Sequence, residues 1–465
     1  MKLSNFKFKL GGIIMETKRS SFSSKIGFVL VAAGSAVGLG NIWRFPYLAA
    51  KYGGGIFLFV YIILALTFGF TLAVGEVGIG RKSGLSAIGS FKKLNEKYAF
   101  IGYLASMVPI IILPYYSVIG GWVIKYFSVF LTGQAGMAAQ DAYFGSFTGQ
   151  TWEPILCLFL FVCATTFIVY RGVEKGLEKA SKFLMPILAV LTVGIALYSV
   201  TLPGAWEGLI YYVKPDFSKF SFTMVVGAMG QLFYSMSLAV GVMITYGSYM
   251  KKDVDIELST KQVEFFDTAI AFFAGMMIIP AVFAFSGGDA SAVNAGPGLM
   301  FMTLPKVFDL IPGGNILGAA FFLLVLFAAL TSSISLMETV VSIFMDKLKW
   351  SRKKSILVVF VFAMIVALPS TLGFGVWSDV RILGMDILTF FDFISNSVLM
   401  PIVALLTCMF IGYVIKPDAI VEEVKISSPF KREKLFRVVI KYVAPICIVL
   451  ILVTSVLSGF GILTI

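Results

Sequence analysis

The chain has 465 residues, of which 58% are apolar and 13% are charged. Soluble proteins carry about 25% charged residues, so the composition excludes an ordinary soluble protein and indicates an integral membrane protein. The formal net charge is +12; in a membrane protein this charge lies in the connections between spans and implies no nucleic-acid partner. The sequence contains no histidine, which excludes histidine metal sites and histidine proton relays.

Apolar segments long enough to cross a bilayer, about 20 residues each, recur along the whole chain. We predict eleven, at 25–49, 54–79, 101–131, 152–169, 180–201, 221–249, 260–284, 314–346, 354–372, 387–415 and 438–462. Most of the 37 lysines and arginines fall in the N-terminal segment and in every second connection. This asymmetry predicts a cytosolic N-terminus and an extracellular C-terminus in a bacterial plasma membrane. The cysteines lie in apolar segments and are interpreted as packing residues (Cys157, Cys163, Cys408 and Cys447).

The first span is interrupted by glycine and polar residues. Residues 34–46 read Gly-Ser-Ala-Val-Gly-Leu-Gly-Asn-Ile-Trp-Arg-Phe-Pro. A helix broken at membrane depth is tolerated only where it faces protein or a water-filled cavity, and such breaks typically direct carbonyls at a cation and a helix N-terminus at an anion. Close packing of small residues is the alternative, but packing does not explain Asn41 or Arg44. The pattern therefore predicts a binding site at this break.

The sixth span contains a second interruption. Residues 230–241 hold Gln231, Ser235, Ser237 and Gly241, which weaken a helix at mid-depth. Interrupted segments one and six are five spans apart, as two inverted five-helix repeats require. We therefore predict a cytosolic N-terminal segment at 1–24, a first repeat at 25–201, an extracellular connection at 202–220, a second repeat at 221–416, and a cytosolic loop with the eleventh helix at 417–465.

Three further spans carry polar residues. The seventh contains Asp267, whose carboxylate would cost several kcal/mol at membrane depth unless it is compensated. The alternative is that Asp267 lies solvated near the cytosolic end of its helix. The third span adds Tyr115 and Tyr116, and the eighth adds hydroxyl groups at residues 331–333.

Several ordered motifs together resemble the neurotransmitter:sodium symporter family, across nearly the whole chain. They are Gly-Leu-Gly-Asn-x-x-Arg-Phe-Pro at 38–46, Gly53-Gly54-Gly55, Glu76 with Gly80-Arg81, Tyr115-Tyr116, Gly230-Gln231 through Ser237, Ile244-Thr245-Tyr246 and Leu330-Thr331-Ser332-Ser333. The resemblance is to the bacterial amino-acid transporters that have eleven helices. It implies an all-α fold of the LeuT type, with a 5+5 inverted repeat and broken helices 1 and 6.

The resemblance also implies two sodium sites and no organic cofactor. The first sodium would bind the Ala36 carbonyl, Asn41, Ser235, Asp267 and the substrate carboxylate. The second would bind the carbonyls of Gly34, Val37 and Ala328 and the hydroxyls of Thr331 and Ser332. All-oxygen ligand sets suit a hard cation.

A substrate site between spans one, three, six and eight is implied as well. The substrate carboxylate would meet Leu39, Gly40 and Tyr116, and its ammonium would meet carbonyls of Ala36, Tyr234 and Ser237. Monoamine transporters of the family have Asp where this chain has Gly38, so Gly38 leaves room for a substrate that brings its own carboxylate. The side-chain pocket would be uncharged, and would be lined by Ile112, Tyr234, Val240, Ser332 and Leu336. We expect a neutral, hydrophobic L-amino acid.

The resemblance also implies one gate on each side of the substrate site. Arg44 and Asp392 would close the outside, while Arg19 and Asp346, with Phe22 and Tyr249, would close the inside. The chain departs from the family's chloride site, because Asp267 and Ala271 replace an Asn and a Ser while Tyr61, Gln231 and Ser235 are retained. We therefore expect chloride-independent transport, since a fixed carboxylate would supply the charge that chloride supplies elsewhere.

The sequence favours a sodium-coupled symporter over two other classes. A proton-coupled amino-acid exchanger on the same fold would carry a basic residue in place of the second sodium, and residues 183–200 contain none. A channel, receptor or membrane enzyme is disfavoured because no loop is long enough for a soluble domain and no phosphate-binding or catalytic motif occurs. The expected partners are a small amino acid and the lipid bilayer.

Overall fold

The computed structural model describes residues 21–289, 292–293 and 297–462, together with the backbone of 9–10 and 13–14. The protein is almost entirely helical. The exception among the described residues is a pair of antiparallel two-residue strands, β1 (Lys9–Leu10) and β2 (Ile13–Ile14).

The predicted spans are present, and we number them 1 to 11 in chain order. Within the described part of the chain, nine are continuous helices that are long and apolar enough to cross a membrane. They are span 2 (Gly55–Ser83), span 3 (Glu96–Leu131), span 4 (Trp152–Tyr170), span 5 (Val173–Val200), span 7 (Ile256–Ser286), span 8 (Gly314–Leu348), span 9 (Arg352–Leu372), span 10 (Ile387–Val414) and span 11 (Glu433–Gly459). Spans 5 and 11 each begin several residues before the predicted start. A π-helical turn, Val173–Glu178, extends span 5, and an α-helical segment, Glu433–Val438, extends span 11.

Spans 1 and 6 are the two that are broken, as the sequence predicts. Span 1 consists of Lys25–Ala36 and Gly40–Lys51, which meet at a bend of 55°. Span 6 consists of Phe222–Ser235 and Val242–Tyr249. Between them Ser237 and Ala239 have positive φ angles of 51° and 61°, which L-residues rarely adopt. Such strain persists only where the surrounding structure holds it in place.

Short helices cover the ends of the bundle. They are Ala87–Leu94, Ala135–Ala138, Tyr143–Thr148, Ala205–Val213, Leu304–Leu310 and Asp418–Lys425. Inside the bundle, span 8 packs along span 3, and the first half of span 1 packs against spans 5, 7 and 8. The two broken spans therefore lie at the centre of the molecule, surrounded by continuous helices.

Candidate functional site

A buried hydrogen-bond cluster joins spans 1, 6 and 7. Asn41 Nδ2 donates to Ser235 Oγ at 2.9 Å and to Asp267 Oδ1 at 2.8 Å. Ser235 Oγ donates to Asp267 Oδ1 at 2.7 Å. Asn41 and Asp267 are both 0% exposed, so the solvated position considered for Asp267 is wrong. The cluster concentrates oxygen atoms and one carboxylate next to the break in span 1, which is the chemistry that a hard cation prefers.

Two side chains hold the broken segments in place, and sequence reasoning gave neither of them this role. Gln231 Nε2 donates to the Gly40 carbonyl at 3.0 Å. The Ala239 amide donates to Glu76 Oε1 at 2.7 Å. Glu76 stands on span 2 and is 3% exposed. The Glu76 carboxylate satisfies a backbone amide in the unwound part of span 6. Gln231 joins span 6 to the start of the second half of span 1, so both side chains help to maintain the broken conformation.

A second group of oxygens lies where span 8 meets the first half of span 1. Ser332 Oγ donates to the carbonyls of Ser35 at 3.2 Å and Val37 at 3.5 Å. Thr331 Oγ1 donates to the carbonyl of Ala328 at 3.1 Å, within its own helix. A Cβ atom on Gly34 would lie 3.2 Å from Thr331 Cβ. The five residues expected to hold the second sodium are thus neighbours across these two helices.

A cavity opens between the two broken spans. All residues expected to contact the substrate line it: Ala36, Gly38, Leu39, Gly40, Ile112, Tyr116, Tyr234, Ser237, Val240, Ser332 and Leu336. Ser35, Asn396 and Met400 also line the cavity and were not identified from the sequence. Asn396 follows Asp392 by one helical turn, so the two side chains share a face of span 10. This spacing in the sequence was the signal that could have identified Asn396 as a cavity residue.

Gly38 and Gly40 face two aromatic residues of the cavity. A Cβ on Gly38 would lie 2.8 Å from Ser332 Oγ and 3.4 Å from the Tyr116 hydroxyl oxygen. A Cβ on Gly40 would lie 2.6 Å from the ring of Tyr234. The Tyr116 hydroxyl is buried and makes no hydrogen bond of normal geometry with the described residues. It is a polar group that a ligand in the cavity would satisfy.

Comparison with known proteins identifies the family. The model of the sodium:neurotransmitter symporter family matches residues 19–144 and 143–460. A sodium-dependent transporter of Bacillus subtilis (strain 168), YhdH, is 34% identical over 443 residues, covering 94% of this chain and 97% of its own. A sodium-dependent transporter of Haemophilus influenzae is 33% identical over 454 residues, covering 94% of this chain and 98% of its own.

The chain belongs to the sodium:neurotransmitter symporter family.

A solved structure supports the fold at the level of coordinates. The chain is similar to MhsT in complex with L-phenylalanine, with a TM-score of 0.84 and 38% identity over 94% of this chain and 100% of that one. The LeuT-type fold predicted from the sequence is therefore confirmed. As a member of this symporter family the chain is a multi-pass, sodium-dependent membrane transporter.

In this symporter the two side chains expected to form the outer gate, Arg44 and Asp392, are not in direct contact. No ion pair within 4.0 Å joins Arg44 to Asp392 among the described residues. The Arg44 guanidinium instead lies 5.3 Å from the centre of the Tyr234 ring. Asp392 Oδ1 accepts hydrogen bonds from Tyr115 at 3.2 Å and Asn396 at 2.6 Å. In the described part of the chain the expected ion pair between Arg44 and Asp392 is therefore not formed.

The end of the symporter that contains Phe22 is closely packed by aromatic residues. The ring of Phe22 makes edge contacts with Phe28, Tyr246 and Tyr249, at centroid separations of 5.6, 5.9 and 6.1 Å. The Tyr249 hydroxyl donates to the buried carboxylate of Glu338 at 2.9 Å. Asp346 Oδ2 accepts from the Ser86 amide at 2.7 Å. Arg19, the partner expected for Asp346, lies outside the described residues.

Proposed function

We propose that this symporter couples the entry of sodium to the import of a neutral, hydrophobic L-amino acid by alternating access. The observation that carries the proposal is the cavity between spans 1 and 6, which is lined by apolar side chains and bordered by two groups of oxygens. A charged substrate side chain would be unpaired in it and therefore unfavourable. The amino acid bound to MhsT, L-phenylalanine, is of the same class.

The substrate's carboxylate would bind at the break in span 1. There it would accept a hydrogen bond from the Tyr116 hydroxyl, which has no hydrogen-bond partner of normal geometry among the described residues. It would also be stabilised by the N-terminal end of the half-helix that begins at Gly40. A side chain longer than hydrogen at residue 38 would meet Ser332 and Tyr116. The small residue at this position therefore keeps the space that a substrate carboxylate requires.

Two sodium ions would bind on either side of this carboxylate. Asn41, Ser235 and Asp267, with the Ala36 carbonyl and the substrate, would hold the first. Carbonyls of Gly34, Val37 and Ala328 with the hydroxyls of Thr331 and Ser332 would hold the second. Because the first ion would contact the substrate, occupancy by sodium and by substrate would favour each other, which is the basis of coupling.

The orientation follows from the distribution of basic residues. We place the N-terminus in the cytosol and the C-terminus outside, in the bacterial plasma membrane. Arg44 and Asp392 would then approach each other at the extracellular side when the cavity closes. Phe22, Tyr249 and Asp346, with Arg19, would separate when it opens to the cytosol.

Uptake into proteoliposomes tests this function. Labelled neutral amino acids should accumulate when sodium is outside, and the corresponding amides and decarboxylated amines should not compete. Replacement of sodium by choline should abolish accumulation. Uptake at the full rate in choline would disprove sodium coupling, and equal competition by the amines would disprove the proposed role of Gly38.

A further inference from the structure

Asn396 on span 10 lines the substrate cavity but belongs to neither cation site. Its Nδ2 donates to Asp392 Oδ1 at 2.6 Å and to the Tyr115 hydroxyl at 3.0 Å. Its Oδ1 is buried and has no hydrogen-bond partner among the residues that the structure describes. A buried acceptor without a donor is unfavourable, so this atom requires an explanation.

The orientation of the Asn396 amide is determined by its neighbours. Oxygen and nitrogen of an asparagine side chain are assigned from hydrogen bonding. An ionised Asp392 carboxylate only accepts, so the group that approaches it must be the donating Nδ2. The Tyr115 hydroxyl donates to Asp392 as well, which leaves its oxygen lone pair for the second Nδ2 hydrogen. Oδ1 is therefore the atom of the amide left without a partner.

Asn396 and the break in span 1 lie on different faces of span 3. Tyr116 lies beside Gly38 at that break, whereas the preceding residue, Tyr115, contacts span 10. Successive residues of a helix point about 100° apart, so the two tyrosines face different elements. Asn396 therefore contributes to the cavity from span 10, on the side of Tyr115 and Asp392.

Apolar side chains line the cavity together with Asn396. Met400, one turn further along span 10, is 1% exposed, and Ile112 and Leu336 line the same cavity. A ligand side chain between these residues would contact hydrocarbon, and the Asn396 amide would offer it a hydrogen-bond acceptor.

We propose that Asn396 is a specificity-determining residue, and that the preferred substrates are neutral amino acids whose apolar side chain ends in a hydrogen-bond donor, such as an indole N–H or a phenol O–H. The donor would bind Asn396 Oδ1. This inference rests on the proposed function, since it assumes that the cavity binds an amino acid. A ligand without the donor would fit the same volume but would leave Oδ1 unsatisfied, which corresponds to a loss of about tenfold in affinity.

Matched ligands test the proposal on the wild-type protein. L-Tryptophan and L-3-benzothienylalanine have nearly the same shape, but sulfur replaces the ring N–H in the second. Their dissociation constants would be measured by sodium-dependent competition against a labelled substrate on the purified full chain. We expect L-tryptophan to bind about tenfold more tightly. A ratio near one in the wild type overturns the inference without any substitution being made.

Two variants then distinguish Oδ1 from the rest of the network. Asn396→Leu removes the acceptor at similar volume and should bring the ratio close to one, through weaker binding of L-tryptophan alone. Tyr115→Phe removes one partner of Nδ2 but leaves Oδ1 in place, so it should keep the wild-type ratio. An unchanged ratio in Asn396→Leu, or a lost ratio in Tyr115→Phe, overturns the assignment to Oδ1.

Failure of this inference is distinguishable from failure of the proposed function. Sodium-dependent binding of L-phenylalanine would be measured in the same samples, and also shows that each variant is folded. If L-phenylalanine and both indole-like ligands bind with sodium but with equal affinity, only the role of Asn396 is overturned. If none of them binds in a sodium-dependent manner, the proposed function itself fails.

Discussion

At the scale of single residues, the cluster around Asp267 explains how a carboxylate is accommodated at membrane depth. Such a group is unfavourable unless it is paired or hydrogen-bonded. Asn41 and Ser235 donate to Oδ1, and Tyr61 lies 3.3 Å from Oδ2. These donors come from spans 1, 6 and 2, so one side chain of span 7 connects both broken helices. A sodium ion beside Asp267 would compensate the charge more fully than the hydrogen bonds do.

The first prediction concerns the hydroxyls of span 8. Thr331→Val with Ser332→Ala should reduce sodium-dependent binding by at least about tenfold, because two of five oxygens would be lost, each worth about 1 kcal/mol. Sodium titration of substrate binding measures this. The matched control is Ser335→Ala, whose hydroxyl donates to the Thr331 carbonyl of its own helix at 2.9 Å. Unchanged sodium affinity in the double variant would show that the second site is misplaced.

The second prediction concerns chloride. Wild-type transport should be the same in chloride and in gluconate, because Asp267 would supply a permanent negative charge beside the first sodium. Asp267→Asn with Ala271→Ser should lose activity in gluconate, since the charge is removed and a hydroxyl is added where a chloride would bind. Thr268→Val, on the same helix, should behave as wild type. A wild type that requires chloride would overturn the role of Asp267, whatever the variants do.

At the scale of elements, the breaks in spans 1 and 6 are held by side chains from continuous helices. Glu76 of span 2 binds the Ala239 amide, next to the positive φ angles of span 6. Ser237 Oγ donates to the Ser35 carbonyl at 3.0 Å, which joins one break to the other. We expect span 10, which carries Asp392, and the residues around Phe22 to move in transport.

The third prediction concerns the outer gate. Asp392→Asn should slow transport severalfold with little change in thermal stability, because the interaction with Arg44 would form only in one part of the cycle. Initial uptake rates and unfolding midpoints measure the two effects. Asp141→Asn is the control: its carboxylate pairs with Lys306 at the surface and is 81% exposed, and such pairs contribute about 0–1 kcal/mol. An unchanged turnover in Asp392→Asn would show that Asp392 has no role in the outer gate.

The fourth prediction concerns the cytosolic end of span 2. Arg81 Nε is 2.9 Å from Glu423 Oε1, with side-chain exposures of 0% and 3%. Glu423→Gln should destabilise the fold by about 3 kcal/mol, because it leaves a buried guanidinium without its carboxylate. Thermal unfolding in detergent should show a clearly lower midpoint. Glu96→Gln, whose pair with Lys92 is 80% exposed on the carboxylate side, should unfold like wild type; equal midpoints for both variants would contradict the argument.

At the scale of the whole molecule, the arrangement of charge and apolar surface determines how the protein lies in the bilayer. Large apolar side chains such as Trp152, Phe183 and Val190 are exposed on the outer spans, where lipid takes the place of a protein core. Two buried ion pairs, Arg81 with Glu423 and Arg352 with Glu338, lie near the ends of spans 2 and 8. Spans 1 and 6 are shielded from lipid on both sides, which is why irregular backbone is tolerated there.

The fifth prediction concerns topology. In intact cells, a membrane-impermeant thiol reagent should label Ser218→Cys, in the connection between spans 5 and 6, but not Ser351→Cys, between spans 8 and 9. Permeabilised cells should show labelling of both, because both positions are exposed. The wild type, whose four cysteines lie within spans, gives the background. The reverse pattern would place the N-terminus outside.

The sequence by itself determined the spans, the two breaks and the family. Hydrophobic length depends on composition alone, and glycines, serines and Asn41 weaken a helix wherever it packs. The family motifs then pointed to residues that the structure brings together around one cavity. These features are local in the sequence, so they can be recognised without knowledge of the contacts between helices.

Only the tertiary structure decided what depends on distance between spans. It placed Glu76 against Ala239 and Gln231 against Gly40, and it left Arg44 on Tyr234 without an ion pair to Asp392. It also added Asn396 and Met400 to the cavity. Hydrogen bonds and cavities arise between residues that are hundreds of positions apart in the chain, and the geometry of a hydrogen bond is satisfied or missed within a few tenths of an ångström.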